Sequence, residues 1–516
     1  MSKRLNNSIK NMKYNTISQI ISLIVQFVGR TFFIKILGSE YLGINGLFSN
    51  ILTLLSLTDM GIGTILIYSL YEPLANKDER KLKELMNEYQ KIYNGIALIV
   101  LLLGIGITPF LHFFIKEMPN ISNIKFIFIL YLLNTVVSYL CIYKISIINA
   151  DQKNYIVTIT QQIFNIISTV IMICVLFVTH NFILYLIIQI TFSITSNIYI
   201  SKKAEKMYPF IKDIKDNKLA KKEKNKIKSD TFAMLLHRIG GVVVSGTDSL
   251  IMSVMIGIKE VGMYSNYLLI INTIKRFTLQ YFTSMSASIG NLNVEKTNEY
   301  SYSIFKKVFF GNFWIYTFCS ICLYTLLNPF INIWIGSEYT FSSGIVIAIV
   351  LMFYVEGMRQ TVISFRSAMG IFSQDKWRPI VESILNLIIS VVLTQKFGIV
   401  GIFLGTILSM FLTCTWVEPW ILFKYGFELK VSKYFKIYAK FFIIGISAFV
   451  VTYLANSLIV GSSIGSLLLH FIVSILVLNI SLMLMTFKME EFKYFFDILK
   501  DISRKIFGKI KYAKTN

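Results

Sequence analysis

Charge is what this chain has least of. Only 15% of its 516 residues are Asp, Glu, Lys or Arg, against 55% hydrophobic, and the mean hydropathy is +0.63. A soluble domain cannot bury that much apolar surface in one core, so the composition excludes a soluble enzyme and indicates an integral membrane protein.

Negative charge is scarcer still, with 28 Asp and Glu against 51 Lys and Arg and a formal net charge of +23. In a soluble protein that balance would suggest nucleic acid. Here the lysines sit in short segments between apolar runs, so the expected partner is the anionic lipid surface and no nucleic acid.

Cysteine is also rare, and Cys141, Cys174, Cys319, Cys322 and Cys414 all fall inside apolar segments. This argues against a disulfide framework and a metal site; the CxxC of Cys319 and Cys322 lies on a membrane helix without a second ligand pair. No paired carboxylates, nucleophile motif, zinc spacing or phosphate-binding glycine loop occurs in a solvent-facing segment, so neither enzymatic activity nor a cofactor is expected.

What the chain does have is long apolar runs. A membrane span needs roughly 20 such residues, and that ruler gives fourteen, near 15–37, 43–71, 92–115, 121–149, 155–179, 182–201, 231–257, 260–290, 304–327, 341–365, 378–395, 397–423, 437–459 and 464–486. The first contains Gln19, Gln26 and Arg30 and lacks a small-residue cleavage site, so it reads as a retained span.

Lys and Arg collect in alternate loops, as the positive-inside rule requires if both termini are cytoplasmic. The largest share is in 202–228, whereas the outside loops carry only Lys35, Lys116, Lys125, Lys259 and Lys396. After the last span, Phe492, Phe495, Leu499, Ile502, Ile506 and Ile510 recur on one helical face among lysines, the pattern of an amphipathic helix on the inner leaflet.

The chain also repeats itself. Gly38 and Gly43 in LGSEYLGINGLFSN match Gly257 and Gly262 in IGIKEVGMYSNYLL at a spacing of 219, each pair at an external turn. A second match sets Asn165 in ADQKNYIVTITQQIFNIISTVI against Asn386 in SQDKWRPIVESILNLIISVVL. The expected organisation is a six-helix bundle over 1–201, a basic cytoplasmic linker over 202–230, a second six-helix bundle over 231–424, an appended helix pair over 437–486 and a cytoplasmic amphipathic tail over 487–516.

Within the spans lie Arg30, Arg238, Lys275, Arg276 and Arg359, opposed by Asp59, Asp248 and Glu356. Each costs on the order of 3 kcal/mol at a helix centre, so these residues are expected to face a protein interior or water-filled cavity. At 1.5 Å per residue, Arg30 lies about 22 Å from the inner end of its span, and Asp59, Arg276 and Arg359 lie roughly 24–27 Å from the outer end of theirs. Through the repeat, Asp59 corresponds to Thr278, two residues after Arg276, so a pair between Asp59 and Arg276 is a possible cytoplasmic gate.

With these features the chain resembles the polysaccharide repeat-unit flippases, the Wzx-type branch of the multidrug/oligosaccharidyl-lipid/polysaccharide (MOP) exporter superfamily. The resemblance covers the whole chain and is most specific over Leu37 to Tyr93, LGSEYLGINGLFSNILTLLSLTDMGIGTILIYSLYEPLANKDERKLKELMNEYQKIY. It implies an all-α polytopic membrane protein of two parallel-repeat six-helix bundles plus a helix pair, similar to the MATE and MurJ folds.

The resemblance further implies movement of an undecaprenyl-pyrophosphate-linked oligosaccharide across a bacterial cytoplasmic membrane by alternating access, feeding a polysaccharide polymerase. Arg30, Arg238, Arg276 and Arg359 would then hold the pyrophosphate, and Asp59, Asp248 or Glu356 would serve as gate or coupling groups. The rival readings are a cation-coupled multidrug exporter, for which the cavity holds too much arginine, and a flippase for teichoic-acid or other lipid-linked precursors. A membrane glycosyltransferase or polymerase would need a longer external loop than Asn328 to Thr340, and a scaffold gains nothing from charges inside its spans.

Overall fold

The computed structural model describes residues 3–497, save 57–61, 215–218, 226, 228–245, 296–297, 372, 376 and 462, together with residue 500. Described regular structure is helical, with no strand among the described residues. The helices are α1 (Lys3–Leu37), α2 (Ser39–Leu55), α3 (Ile62–Asn76), α4 (Glu79–Ile107), α5 (Ile124–Ala150), α6 (Asn154–Thr179) and α7 (Phe182–Met207). There follow α8 (246–255), α9 (Ile258–Glu295), α10 (Asn298–Ile335), α11 (Ser343–Met358), α12 (Gln360–Ala368) and α13 (Arg378–Phe397). Last come α14 (Ile399–Leu412), α15 (Cys414–Ile421), α16 (Ser432–Ser457), α17 (Ile464–Thr486) and α18 (490–497).

Eleven helical stretches among the described residues are long and apolar enough to cross a membrane. The other three expected spans are 43–71, split between α2 and α3; 231–257, described only from 246; and 260–290, which is α9. The chain is therefore an all-α polytopic membrane protein. It divides into two compact units, Met1–Ser265 and Asn266–Asn516, and α9 runs through the division.

In the first unit, α1 pairs with α6 through polar side chains. Asn11 donates to the Gln152 carbonyl at 2.9 Å and accepts from the Tyr155 amide at 2.8 Å, Thr158 donates to Asn15 at 2.9 Å, and Ser22 donates to Gln162. Such bonds add to packing between membrane helices because lipid offers no alternative partner.

Part of the basic linker packs on this unit too. Lys224 lies 2.8 Å from the buried Glu88 of α4, and the Tyr208 hydroxyl donates to Asp151 at 2.6 Å.

The second unit is organised around α10. Phe305 and Phe309 stack with rings 5.6 Å apart and meet Phe365, Phe423, Phe427 and Tyr434 in one aromatic cluster. The α13–α14 hairpin turns at Gly398, whose φ of 58° favours glycine. Gly401 and Gly405 then face Leu393, Thr394 and Ser390 so closely that no Cβ fits, a small-residue contact between membrane helices.

The appended pair, α16 and α17, docks on α10 through polar side chains. Thr452, Ser474 and Thr486 are fully buried, Trp314 of α10 donates to Asn479 at 3.0 Å, and Thr325 meets Ser474 at 3.2 Å. In the described part of the tail, Phe492 and Phe495 pack on Trp314 and Phe310 of α10, where the sequence pattern had placed them against the inner leaflet. Aromatic surface on α10 competes with lipid for that face, and Ile502, Ile506 and Ile510 lie outside the described residues.

Candidate functional site

In the first unit, α2 and the start of α9 cross at the repeat glycines. A Cβ on Gly43 would overlap the Ile258 carbonyl, and one on Gly262 would overlap the Ser39 carbonyl and come to 3.0 Å from the Gly43 nitrogen. The matching glycines noticed as a sequence repeat thus meet each other: each leaves out the side chain the other helix needs absent.

This crossing positions Arg30. Ser265 lies one turn beyond Gly262, and Arg30 Nη1 donates to its carbonyl at 2.6 Å. Phe33, one turn further along α1, packs edge-on against Phe182 and Tyr185 of α7. Among the described residues no carboxylate lies within ion-pair distance of Arg30, and its hydrogen-bond partner is the Ser265 carbonyl dipole.

The second unit treats its intramembrane charges differently. Gly357 leaves no room for a Cβ beside the Tyr316 ring, and the helix breaks directly after it, between α11 and α12, at Arg359. Asn312 of α10 donates to the buried carbonyls of Gly357 and Met358 at 3.2 and 3.1 Å.

The Arg359 guanidinium is turned onto Glu418 of α15 in a bidentate pair, Nε at 3.0 Å and Nη2 at 2.8 Å. Arg359 also lies 3.8 Å from Glu382, while Arg378 bridges Glu418 at 3.0 Å, Glu382 at 2.9 Å and Asp375 at 2.8 Å. Arg366 completes the set at 2.6 Å from Asp375. Arg359, Arg366 and Arg378 therefore balance Asp375, Glu382 and Glu418, an arrangement that neutralises the charges locally.

Arg359 was expected among the headgroup ligands, but here both edges of its fork are already engaged by carboxylates. The reason is Glu418, which is 1% exposed in a run that looks uniformly apolar. Sequence reasoning missed Glu418 and Glu382 because a single acid near the end of a span resembles a boundary residue.

Lys275 pairs with Glu356, linking α9 to α11. Arg276, the next residue, is exposed and makes no ion pair among the described residues. Asp248 is buried on α8. Arg238 and Asp59 lie outside the described residues, and with Asp59 the expected gate pair to Arg276.

The second unit also contains an apolar groove of about 380 Å³ between α10, α11 and α16, lined by residues such as Ile347, Leu351, Phe442 and Ile446. It adjoins a more polar pocket of about 250 Å³ near the α16–α17 turn. Among the described residues no group of His, Cys, Asp and Glu could hold a metal ion.

A solved structure titled lipid II flippase MurJ, inward closed conformation, superimposes with a TM-score of 0.64 at 18% identity, covering 91% of this chain and 98% of that one. An inward-facing multidrug resistance MATE family transporter of the MOP superfamily gives 0.63 at 11% identity, covering 81% and 96%. The Vibrio cholerae MATE transporter VcmN, as a mutant, gives 0.52 at 14%, covering 84% and 99%.

At these identities the likeness establishes the fold alone, one shared with the MurJ and MATE structures. The family follows from the sequence itself: residues 8–287 match the model of the polysaccharide biosynthesis protein family, and the chain belongs to that family. No curated protein matches the chain.

Proposed function

We propose that the protein flips an undecaprenyl-pyrophosphate-linked oligosaccharide repeat unit from the cytoplasmic to the outer leaflet of a bacterial plasma membrane, with both termini cytoplasmic, for cell-surface polysaccharide synthesis. The observation that carries this reading is Arg30: a cation deep in α1, held by one backbone carbonyl and not paired with any described carboxylate.

A pyrophosphate carries about two negative charges and matches the planar guanidinium fork, which gives charge-assisted and often bidentate bonds. Arg30 and Arg276, which make no ion pair among the described residues, are the ligands, and Arg238 joins them by its place in the sequence. Arg359 instead holds the second bundle in shape through Glu418, and Glu356 with Lys275 forms a pair that the passing anion can compete for. Alternating access of the two bundles then exposes the headgroup to one side at a time.

Membership of a polysaccharide biosynthesis family favours this substrate over a cationic drug, which would select carboxylates in place of these arginines. The reading is tested by reconstituting the chain in liposomes with a short undecaprenyl-pyrophosphate-linked saccharide and measuring headgroup accessibility on each side. Loss of one charge-assisted contact of about 1.5–3 kcal/mol lowers transport by Arg30→Ala roughly 10- to 100-fold, with partial recovery in Arg30→Lys. Full transport by Arg30→Ala, or none above empty liposomes by the folded wild type, refutes it.

A further inference from the structure

The polar pocket and the apolar groove of the second unit share Tyr324 as a common wall. One side chain therefore separates a compartment for hydroxyl groups from a compartment for hydrocarbon, the division that a lipid molecule has between headgroup and chain.

The polar compartment is lined by Tyr324, Asn328, Tyr453, Asn456, Ser457 and His470, among others, with no Lys, Arg, Asp or Glu. Its hydrogen bonds are arranged in advance. Asn456 Nδ2 donates to the Thr452 carbonyl at 2.9 Å and to Ser474 Oγ at 3.1 Å, which leaves Oδ1 to accept from His470 Nδ1 at 2.8 Å. With the Nδ1 proton so assigned by the network, His470 Nε2 is an acceptor.

Asn328 is committed to the wall, donating to the Phe341 carbonyl at 2.8 Å and accepting from Tyr267 at 2.5 Å. The ring faces of Tyr324 and Tyr453, with centroids 6.2 Å apart, add flat apolar surface beside these groups. Neutral donors and acceptors next to aromatic faces suit a sugar, which presents hydroxyls on its edge and C–H groups on its face.

An anionic headgroup is disfavoured, because a phosphate at Tyr324 would be desolvated without a cation among the lining residues. A bare hydrocarbon is disfavoured in turn, since it would leave His470 Nε2 without a partner. In the groove, a Cβ on Gly445 would stand 3.6 Å from Phe313 and 3.7 Å from Thr317, ordinary van der Waals contact.

We infer that this composite cleft is a second lipid site, and that its occupant is a glycosyldiacylglycerol, with the uncharged sugar against His470 and Tyr453 and an acyl chain along Ile446 and Leu351. The α16–α17 turn lies on the side that the positive-inside pattern assigns to the outer leaflet, so the lipid is drawn from there.

The test uses the full chain in nanodiscs holding equal mole fractions of glucosyl-dioleoylglycerol and dioleoyl-phosphatidylglycerol, released into native mass spectrometry. The wild type is expected to retain one glucosyl lipid with at least tenfold preference. Ser457→Trp, which fills the polar compartment, and Gly445→Leu, which fills the groove, each lower retention at least fivefold with unchanged thermal midpoint. Should Gly445→Leu fail to fold, Ile446→Trp obstructs the same groove from an exposed position.

Equal retention of phosphatidylglycerol overturns the inference, as does undiminished retention in the folded variants. Displacement of the glucosyl lipid by an undecaprenyl-pyrophosphate-linked saccharide also overturns it, by assigning the cleft to the transport substrate.

Discussion

Glu418→Gln is the sharpest probe of how the second bundle tolerates charge. Glu418 accepts two bonds from Arg359 and lies 3.0 Å from Arg378, so neutralising it leaves three guanidinium groups against two carboxylates. Removing one partner of a buried ion pair costs about 3–5 kcal/mol, because the remaining charge is desolvated without compensation. The amide keeps one hydrogen bond, so the lower end, about 3 kcal/mol, is expected for Gln and the upper end for Ala.

The assay is reversible unfolding of purified protein in mixed micelles with increasing SDS, read by tryptophan fluorescence. A double-mutant cycle with Arg359→Met separates the pair from its surroundings, with a coupling of at least about 2 kcal/mol expected. The reasoning fails if Glu418→Gln lies within 1 kcal/mol of wild type or if the cycle shows no coupling. Such a result would mean that water reaches the cluster and that Arg359 is free for an anion after all.

Further outcomes follow from other contacts. Gly262→Val forces α9 away from the Ser39 carbonyl, and overpacking of this kind costs about 1–3 kcal/mol; cysteines placed at positions 46 and 261, where a Cβ on Gly46 would stand 3.6 Å from Val261, then crosslink more slowly than on the wild-type background, and unchanged crosslinking would contradict the close crossing. Burial raises the Asp375 carboxyl, but the Arg366 and Arg378 bonds and charges outweigh it and hold it below its ordinary 3.8. Its contribution is thus complete above that value and lost as pH falls through the lower folded value, so Asp375→Asn is less stable than wild type at pH 7 and shows a flatter acid profile below about pH 4. Parallel acid profiles would show that the ion pairs contribute nothing. Trp314→Phe removes the bond to Asn479 and costs about 1 kcal/mol, measured as earlier SDS unfolding; no shift would mean that α17 docks by packing alone.

Most of the fold was legible because a bilayer imposes one strong rule: a spanning segment must be apolar and about 20 residues long. Most described helices accordingly overlap the expected spans, including the long α10 and the separate α16 and α17, whereas 43–71 is divided between α2 and α3. The glycine repeat was legible too, since a close helix crossing leaves no alternative to a missing side chain at Gly43 and Gly262.

The charged residues were visible as exceptions within apolar runs, but their roles were not. Arg30 and Arg359 look alike in the sequence, each a single cation deep in a span. Only the folded chain shows Arg30 against a carbonyl and Arg359 locked to Glu418, 59 residues away.

By itself, the sequence determined that this protein lives in a membrane, where most of its apolar helices lie, and which residues carry the cost of being there. The tertiary structure decided which of those charges are neutralised by carboxylates, as Arg359 and Lys275 are, because that depends on contacts between helices far apart in the chain. Hydropathy is a property of each segment, whereas compensation of a buried charge is a property of pairs.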